Sequence, residues 1–352
     1  MNNAASITPS IIPPRPVSPL AIARWLLVCC GFVFAMVIIG AITRLTESGL
    51  SITEWRPLIG AIPPLNEHDW QQQFDLYKQT PEFQKKNFWM GMDDFKRIYF
   101  WEWFHRLWGR LIGIVYALPL LWFWARGMIP PGYKLRLFGL LILGGLQGAM
   151  GWYMVQSGLI DQPAVSHYRL AAHLSLAFLI FALMLWLALS LMQKERPMGD
   201  SALYVHGWLV TACIVITIIW GAFVAGLDAG LVYNDHFPKM TADSWLPPDM
   251  WHVTPLWMNF IENHGGVQWT HRWLAMFTVA MVAVFWLRAQ RRGQNFHALH
   301  GLMFMILIQL SLGIVTLLTK VWLPVAVLHQ AGALIILGLM VMCLHRLRPA
   351  KI

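Results

Sequence analysis

Four histidines fall inside otherwise apolar stretches of this chain: His105, His173, His271 and His329. Ionisable side chains are costly at membrane depth, and by default they mark functional positions. Each of the four lies about one helical turn below the same edge of its own apolar run, counting about 1.5 Å of rise per residue. They therefore share a level. At that level His105 can face His173 and His271 can face His329, and two imidazoles opposed across an apolar slot suit a flat iron porphyrin with two axial nitrogen ligands. A single membrane histidine is ordinarily a hydrogen-bonded helix contact, but four at repeated positions read as ligands to haem iron. Zinc or copper is disfavoured, because each pair offers two nitrogens and no thiol or carboxylate set. His167 and His264, shortly before His173 and His271, read as interfacial loop residues.

Three further residues stand beside these pairs. Arg106 and Arg272 directly follow His105 and His271. A guanidinium there can grip porphyrin propionates through charge-assisted hydrogen bonds, or it can snorkel to the headgroups. Glu102 precedes His105 by three residues where the matching position before His271 is Gln268. On a helix that spacing sets Glu102 over the same face as His105, one turn nearer the outside. A carboxylate so placed can stabilise a developing cation or take a proton from water, although an acid in a first turn also serves the helix dipole.

These residues need long apolar elements to hold them, and the composition supplies them. The 352 residues are 57% hydrophobic and only 12% charged, with a mean hydropathy of +0.53. That excludes an ordinary soluble domain, a disordered chain and a disulfide-stapled module. A membrane span needs about 20 apolar residues, which gives eight: 23–44, 102–124, 135–155, 169–191, 206–227, 268–288, 298–318 and 325–345. The net charge of +9 does not indicate nucleic acid. Basic residues instead collect at alternate span ends (Arg15, Arg24; Arg126, Lys134, Arg136; Lys194, Arg196; Arg288, Arg291, Arg292; Arg346, Arg348, Lys351). This places both termini in the cytoplasm. The long outer segment, 45–101, has aromatics such as Trp55, Trp70, Phe74 and Tyr77 able to sit at the membrane interface. The cysteines, Cys29, Cys30, Cys213 and Cys343, all lie in apolar runs and form no CxxC.

The chain also repeats itself. Glu102-Trp103-Phe104-His105-Arg106 matches Gln268-Trp269-Thr270-His271-Arg272, and Gly139, Gln147 and Gly151 recur as Gly301, Gln309 and Gly313 at the same spacing. Gly40-Ala41 and Ser48-Gly49-Leu50 recur as Gly221-Ala222 and Ala229-Gly230-Leu231. Four spans per half give both halves one orientation. The expected architecture is an all-α integral membrane protein of eight transmembrane helices, arranged as two parallel-related four-helix bundles. It divides into a tail (1–22), an N-terminal half (23–196) and a C-terminal half (197–352).

The run Ile42-Thr43-Arg44-Leu45-Thr46-Glu47-Ser48-Gly49-Leu50-Ser51, with Glu54-Trp55, Pro57-Leu58-Ile59-Gly60, Pro63-Pro64, the Glu102 to Arg106 motif and the three later histidines, closely resembles haem A synthases over nearly the whole chain. It is similar to the subclass without a cysteine pair in the first outer loop. The resemblance implies an inner-membrane oxidoreductase that turns the C8 methyl of haem O into the formyl group of haem A, with water as oxygen donor. It implies haem b as cofactor on His271 and His329, substrate haem O between His105 and His173, and Glu102 as the catalytic acid. Haem O synthase, an electron acceptor and further copies of the chain are the partners it suggests, beside the lipid bilayer. A bis-histidine dihaem cytochrome that only transfers electrons is the alternative. A prenyltransferase is poorly supported, because Asp93-Asp94 is a lone acidic pair.

Overall fold

The computed structural model describes residues 19–54, 59–158, 165–193 and 199–349. Trp55, Pro57, Leu58, Arg15, Lys194, Arg196, Lys351 and the boundary between the halves at 196 lie outside them. The helices are α1 (Pro19–Leu45), α2 (Glu67–Lys78), α3 (Met92–Ala125), α4 (Lys134–Gly158), α5 (His167–Met192), α6 (Ser201–Gly226), α7 (His264–Arg291), α8 (His297–Leu318) and α9 (Leu323–Leu347). All but α2 are long and apolar enough to cross a membrane. Among the described residues the regular structure is entirely helical, and the chain is an all-helical integral membrane protein. Large apolar side chains such as Leu118, Leu135 and Phe304 face outward, as an apolar solvent permits.

Within the first half, α1 packs on α3 and α5, and α4 also packs on α3 and α5. The second half repeats the pattern, with α6 and α8 each packed on α7 and α9. The halves meet through α5 on α6 and through α9 on α1 and α5. Val37, Phe178, Leu334 and Leu337 form an apolar cluster across that seam. Arg44 of α1 crosses it to Asp228 at 2.8 Å and to the Ala225 carbonyl at 2.7 Å.

Packing is uneven along the helix axes. In the first half the dense core joins Ile22 to Val33 at the start of α1, Tyr116 and Leu120 late in α3, Leu137 and Leu140 early in α4, and Met184 and Ala188 late in α5. The second half repeats this with Leu203 and Val210, Val282 and Phe285, Leu299 and Leu302, and Met340 and Leu344. All these residues lie toward the end where α1 begins and α9 finishes, which is also the basic end. Each half is thus plugged at one end, and its histidines lie toward the other.

Two expectations from the sequence need correction. Helix α3 starts ten residues before the apolar run, because Asp93 and Asp94 favour a helix N-terminus and Asp94 accepts the Gly91 N–H at 3.3 Å. His105 therefore lies thirteen residues into its helix, not one turn in, and His173, His271 and His329 lie six, seven and six residues into theirs. Second, Phe74 and Tyr77 do not sit at a membrane interface. They are buried with Phe95, Ile98 and Tyr99, and Trp70 packs at their edge. The outward extension of α3 gives α2 a wall to pack on, and offset and edge-on ring contacts such as Phe74–Phe95 and Tyr77–Phe95, with centroids 5.0 and 5.2 Å apart, fill the join. We call this the outer lobe. Phe95→Ala should cost it about 3–5 kcal/mol and expose the 62–91 segment to limited proteolysis, whereas truncating the exposed Phe88 should leave protection unchanged.

Candidate functional site

Each of the four histidines lies against a glycine on the span that precedes it. A methyl group built on Gly40, Gly151, Gly221 or Gly313 would stand 3.3, 3.1, 3.0 and 2.9 Å from Cε1 of His105, His173, His271 and His329 respectively. A bare backbone is what lets each ring lie that close to the neighbouring helix. The sequence repeat already paired Gly40 with Gly221 and Gly151 with Gly313. It did not reveal that these glycines are the seats of the rings.

His105 is within electrostatic reach of His173, and His271 of His329. All four are half-buried. Three of them have a polar side chain beside a ring nitrogen. The Thr43 hydroxyl spends its proton on the Ile39 carbonyl at 2.8 Å, so at 3.3 Å it accepts from His105 Nδ1 and leaves Nε2 as the free lone pair. The Gln147 amide nitrogen lies 3.2 Å from His173 Nδ1 and 3.3 Å from its Nε2, and donates to the His173 carbonyl at 3.1 Å. That of Gln309 lies 3.2 Å from His329 Nδ1 and donates to the His329 carbonyl at 2.8 Å. His271 Nδ1 and the side-chain oxygens of Gln147 and Gln309 are buried without a partner. Paired imidazoles, glycine seats and orphaned polar atoms at matching places suit a flat ligand gripped through two axial nitrogens.

His167 and His264 are placed elsewhere. His167 lies at the seam, 3.8 Å from Glu262 and edge-on to Phe223, while His264 is exposed at the start of α7.

Above the pairs, the two halves use one scaffold with opposite polarity. Glu102 is buried; its Oε2 accepts from the Ser51 hydroxyl and the Ile52 N–H, each at 2.7 Å, and its Oε1 accepts from Arg106 at 2.6 Å. Gln268, equally buried, has its amide nitrogen donating to the Ala229 carbonyl at 2.9 Å and to the Val232 carbonyl, while its Oε1 accepts from Arg272 at 2.8 Å. The turn after α1 offers donors to a carboxylate, and the matching turn after α6 offers carbonyls to an amide. Ser51 stands where the second half has Val232. The repeat contained this signal, since the alignment of Gly49 with Gly230 extends two residues to reach it.

Arg106 and Arg272 serve these turns. Arg106 donates to the Ile52 carbonyl at 3.0 Å and the Glu54 carbonyl at 3.3 Å. Arg272 donates to the carbonyls of Tyr233, His236 and Lys239. Both Nη atoms of Arg272 are taken up by the protein and anchor this loop, while its Nε is buried without a partner.

Comparison with known proteins now fits this geometry. A family model described as cytochrome oxidase assembly protein matches residues 23–341. The chain is 51% identical to the haem A synthase of Rhodospirillum centenum, over 98% of this chain and 94% of that one. It is 45% identical to that of Nitrosospira multiformis, over 93% of each chain, and 43% identical to that of Nitrosomonas eutropha, over 95% and 96%. The chain belongs to the haem A synthase family. The members named here match nearly the full length of the chain.

Two variants test the site's construction. Gly313→Ala should push the His329 ring from its seat and lower the iron porphyrin retained on purification, read from the absorbance ratio of bound haem to protein. Gln268→Glu sets a carboxylate against two carbonyl oxygens, and should destabilise the turn after α6 by at least about 1–3 kcal/mol, seen as a lowered melting temperature.

Proposed function

We propose that this chain oxidises the C8 methyl of haem O to the formyl group of haem A. Its membrane character and membership of the haem A synthase family make it an oxidoreductase of haem A biosynthesis; the finer assignments that follow are our reading. Substrate haem O lies in the N-terminal half between His105 and His173, and the C-terminal half keeps haem b between His271 and His329. Haem b, when bound, supplies an electron relay. The observation that carries the assignment of halves is the carboxylate of Glu102, held where the second half has the amide of Gln268.

The overall change adds one water to the methyl and releases four protons and four electrons, which leave singly to an external one-electron acceptor. This passes through an alcohol and a gem-diol that loses water. Glu102 is suited to both charge and proton. Three donors already orient its oxygens, and Oε1 keeps a lone pair for a water or for cationic character at the methyl carbon. Arg106 keeps the turn and the carboxylate in one piece. His105 offers Nε2 to iron because Thr43 holds the other nitrogen. The positive ends of the spans place both termini in the cytoplasm and the pockets toward the opposite face of a bacterial inner membrane.

The test is expression in a host supplied with haem O, followed by extraction and mass analysis of the porphyrins. Haem A should form, heavier than haem O by an oxygen less two hydrogens. Glu102→Gln should keep its bound haem but slow conversion by about 100-fold or more, leaving haem O or the alcohol. Equal turnover by this variant removes Glu102 from the catalytic role, and porphyrin recovered unchanged from the wild-type chain favours the electron-transfer cytochrome instead.

A further inference from the structure

One buried acid has no part in the scheme above. Glu82 is 4% exposed and sits in the outer lobe, in the helical turn between α2 and α3. Its Oε2 accepts from the Tyr77 hydroxyl at 3.1 Å, and that hydroxyl accepts from the Asn87 amide at 2.8 Å. Tyr77 and Asn87 are buried as well. Such a group is costly to ionise, and a lobe that needed only packing would do better with an apolar side chain.

Tyr77 stacks on Phe95 of α3, and Tyr99, one turn before Glu102, belongs to the same cluster. The charge of Glu102 acts on both Glu82 and Tyr77. The charges of Glu47, in the turn after α1, and of Lys86, one helical turn further along the same segment, also act on Glu82. These two lie 4.0 Å apart, and both are partly exposed. Glu82, buried with Tyr77, thus interacts both with Glu102 and with a pair that reaches the surface.

The oxidation releases four protons beside Glu102, which lies on the same helix as the Phe95, Ile98 and Tyr99 of the lobe. We propose that Glu82 is the proton-release group of this site, taking protons from the neighbourhood of Glu102 and passing them to the surface at Glu47 and Lys86. This rests on the reading that the N-terminal pocket performs the oxidation. Burial, the largest influence, with the charges of Glu102 and Glu47 added, pushes Glu82 up to about 7, while the Tyr77 hydrogen bond and Lys86 pull the other way. A carboxyl in that range both accepts and releases a proton near neutrality. Glu82 is empty of its proton above that range and filled below it, so relay fails on the acid side.

The experiment follows haem O conversion by the full chain in membranes from about pH 6 to about pH 8, the range set by that group. The wild-type rate should fall on the acid side with a midpoint near 7. Glu82→Gln keeps the shape and an acceptor oxygen. It should retain bound haem yet run about 10-fold slower at high pH, with the acid limb gone; Glu82→Asp should restore much of the rate. Tyr77→Phe removes a hydrogen bond to the ionised form, so its acid limb should move to higher pH, which serves if Glu82→Gln does not fold. An acid limb unmoved in the variants that fold, with wild-type rates, overturns the relay alone. Absence of haem A from the wild-type chain overturns the underlying reading and the relay with it.

Discussion

An imidazole whose Cε1 meets a bare stretch of helix backbone is the contact on which the rest of this structure depends, and it occurs four times. Each Cε1 stands 2.9 to 3.3 Å from where another residue would carry its Cβ, so a side chain at that glycine would have to push the ring away. Because the dense apolar cores gather at the basic end of each half, the opposite end is free to hold a wide, flat ligand without loosening the whole bundle.

The same scaffold then acquires direction from a reversal of hydrogen-bond polarity. A guanidinium one turn along the helix ties Glu102 or Gln268 to the turn that follows the first span of its half. In one half that turn presents a hydroxyl and an N–H, and in the other it presents carbonyls. Neither side chain can exchange with the other without leaving like groups face to face. The two halves thus differ in the polarity of this turn with no change in backbone plan. The outer lobe packs on the extension of α3 that leads to Glu102, and buries the polar groups of Tyr77, Thr80, Glu82 and Asn87 among its aromatic rings.

Much of this was legible in residue order. The spans followed from apolar length, the repeated positions of the four histidines from residue order, and the contrast of Glu102 with Gln268 from the repeat. The start of α3 was not, because ten polar and aromatic residues carry helix outward beyond any hydropathy window, held there by an acidic first turn and by α2. Phe74 and Tyr77 were misplaced for the same reason: an aromatic residue in a polar loop reads alike whether it meets lipid or another ring. Besides Glu102 and Gln268, the partners of Arg106 and Arg272 are main-chain carbonyls, which leave no trace in side-chain identity.

The sequence by itself determined the membrane class, the duplication and the identity of the groups that can bind iron or move protons, since these rest on hydropathy, period and side-chain chemistry. Only the tertiary structure decided which glycine seats which ring, that Ser51 and Ile52 aim donors at Glu102 while Ala229 and Val232 aim acceptors at Gln268, and that Glu82 is enclosed. Those are facts of direction and distance between segments far apart in the chain. They are set when helices pack, and no local pattern encodes them.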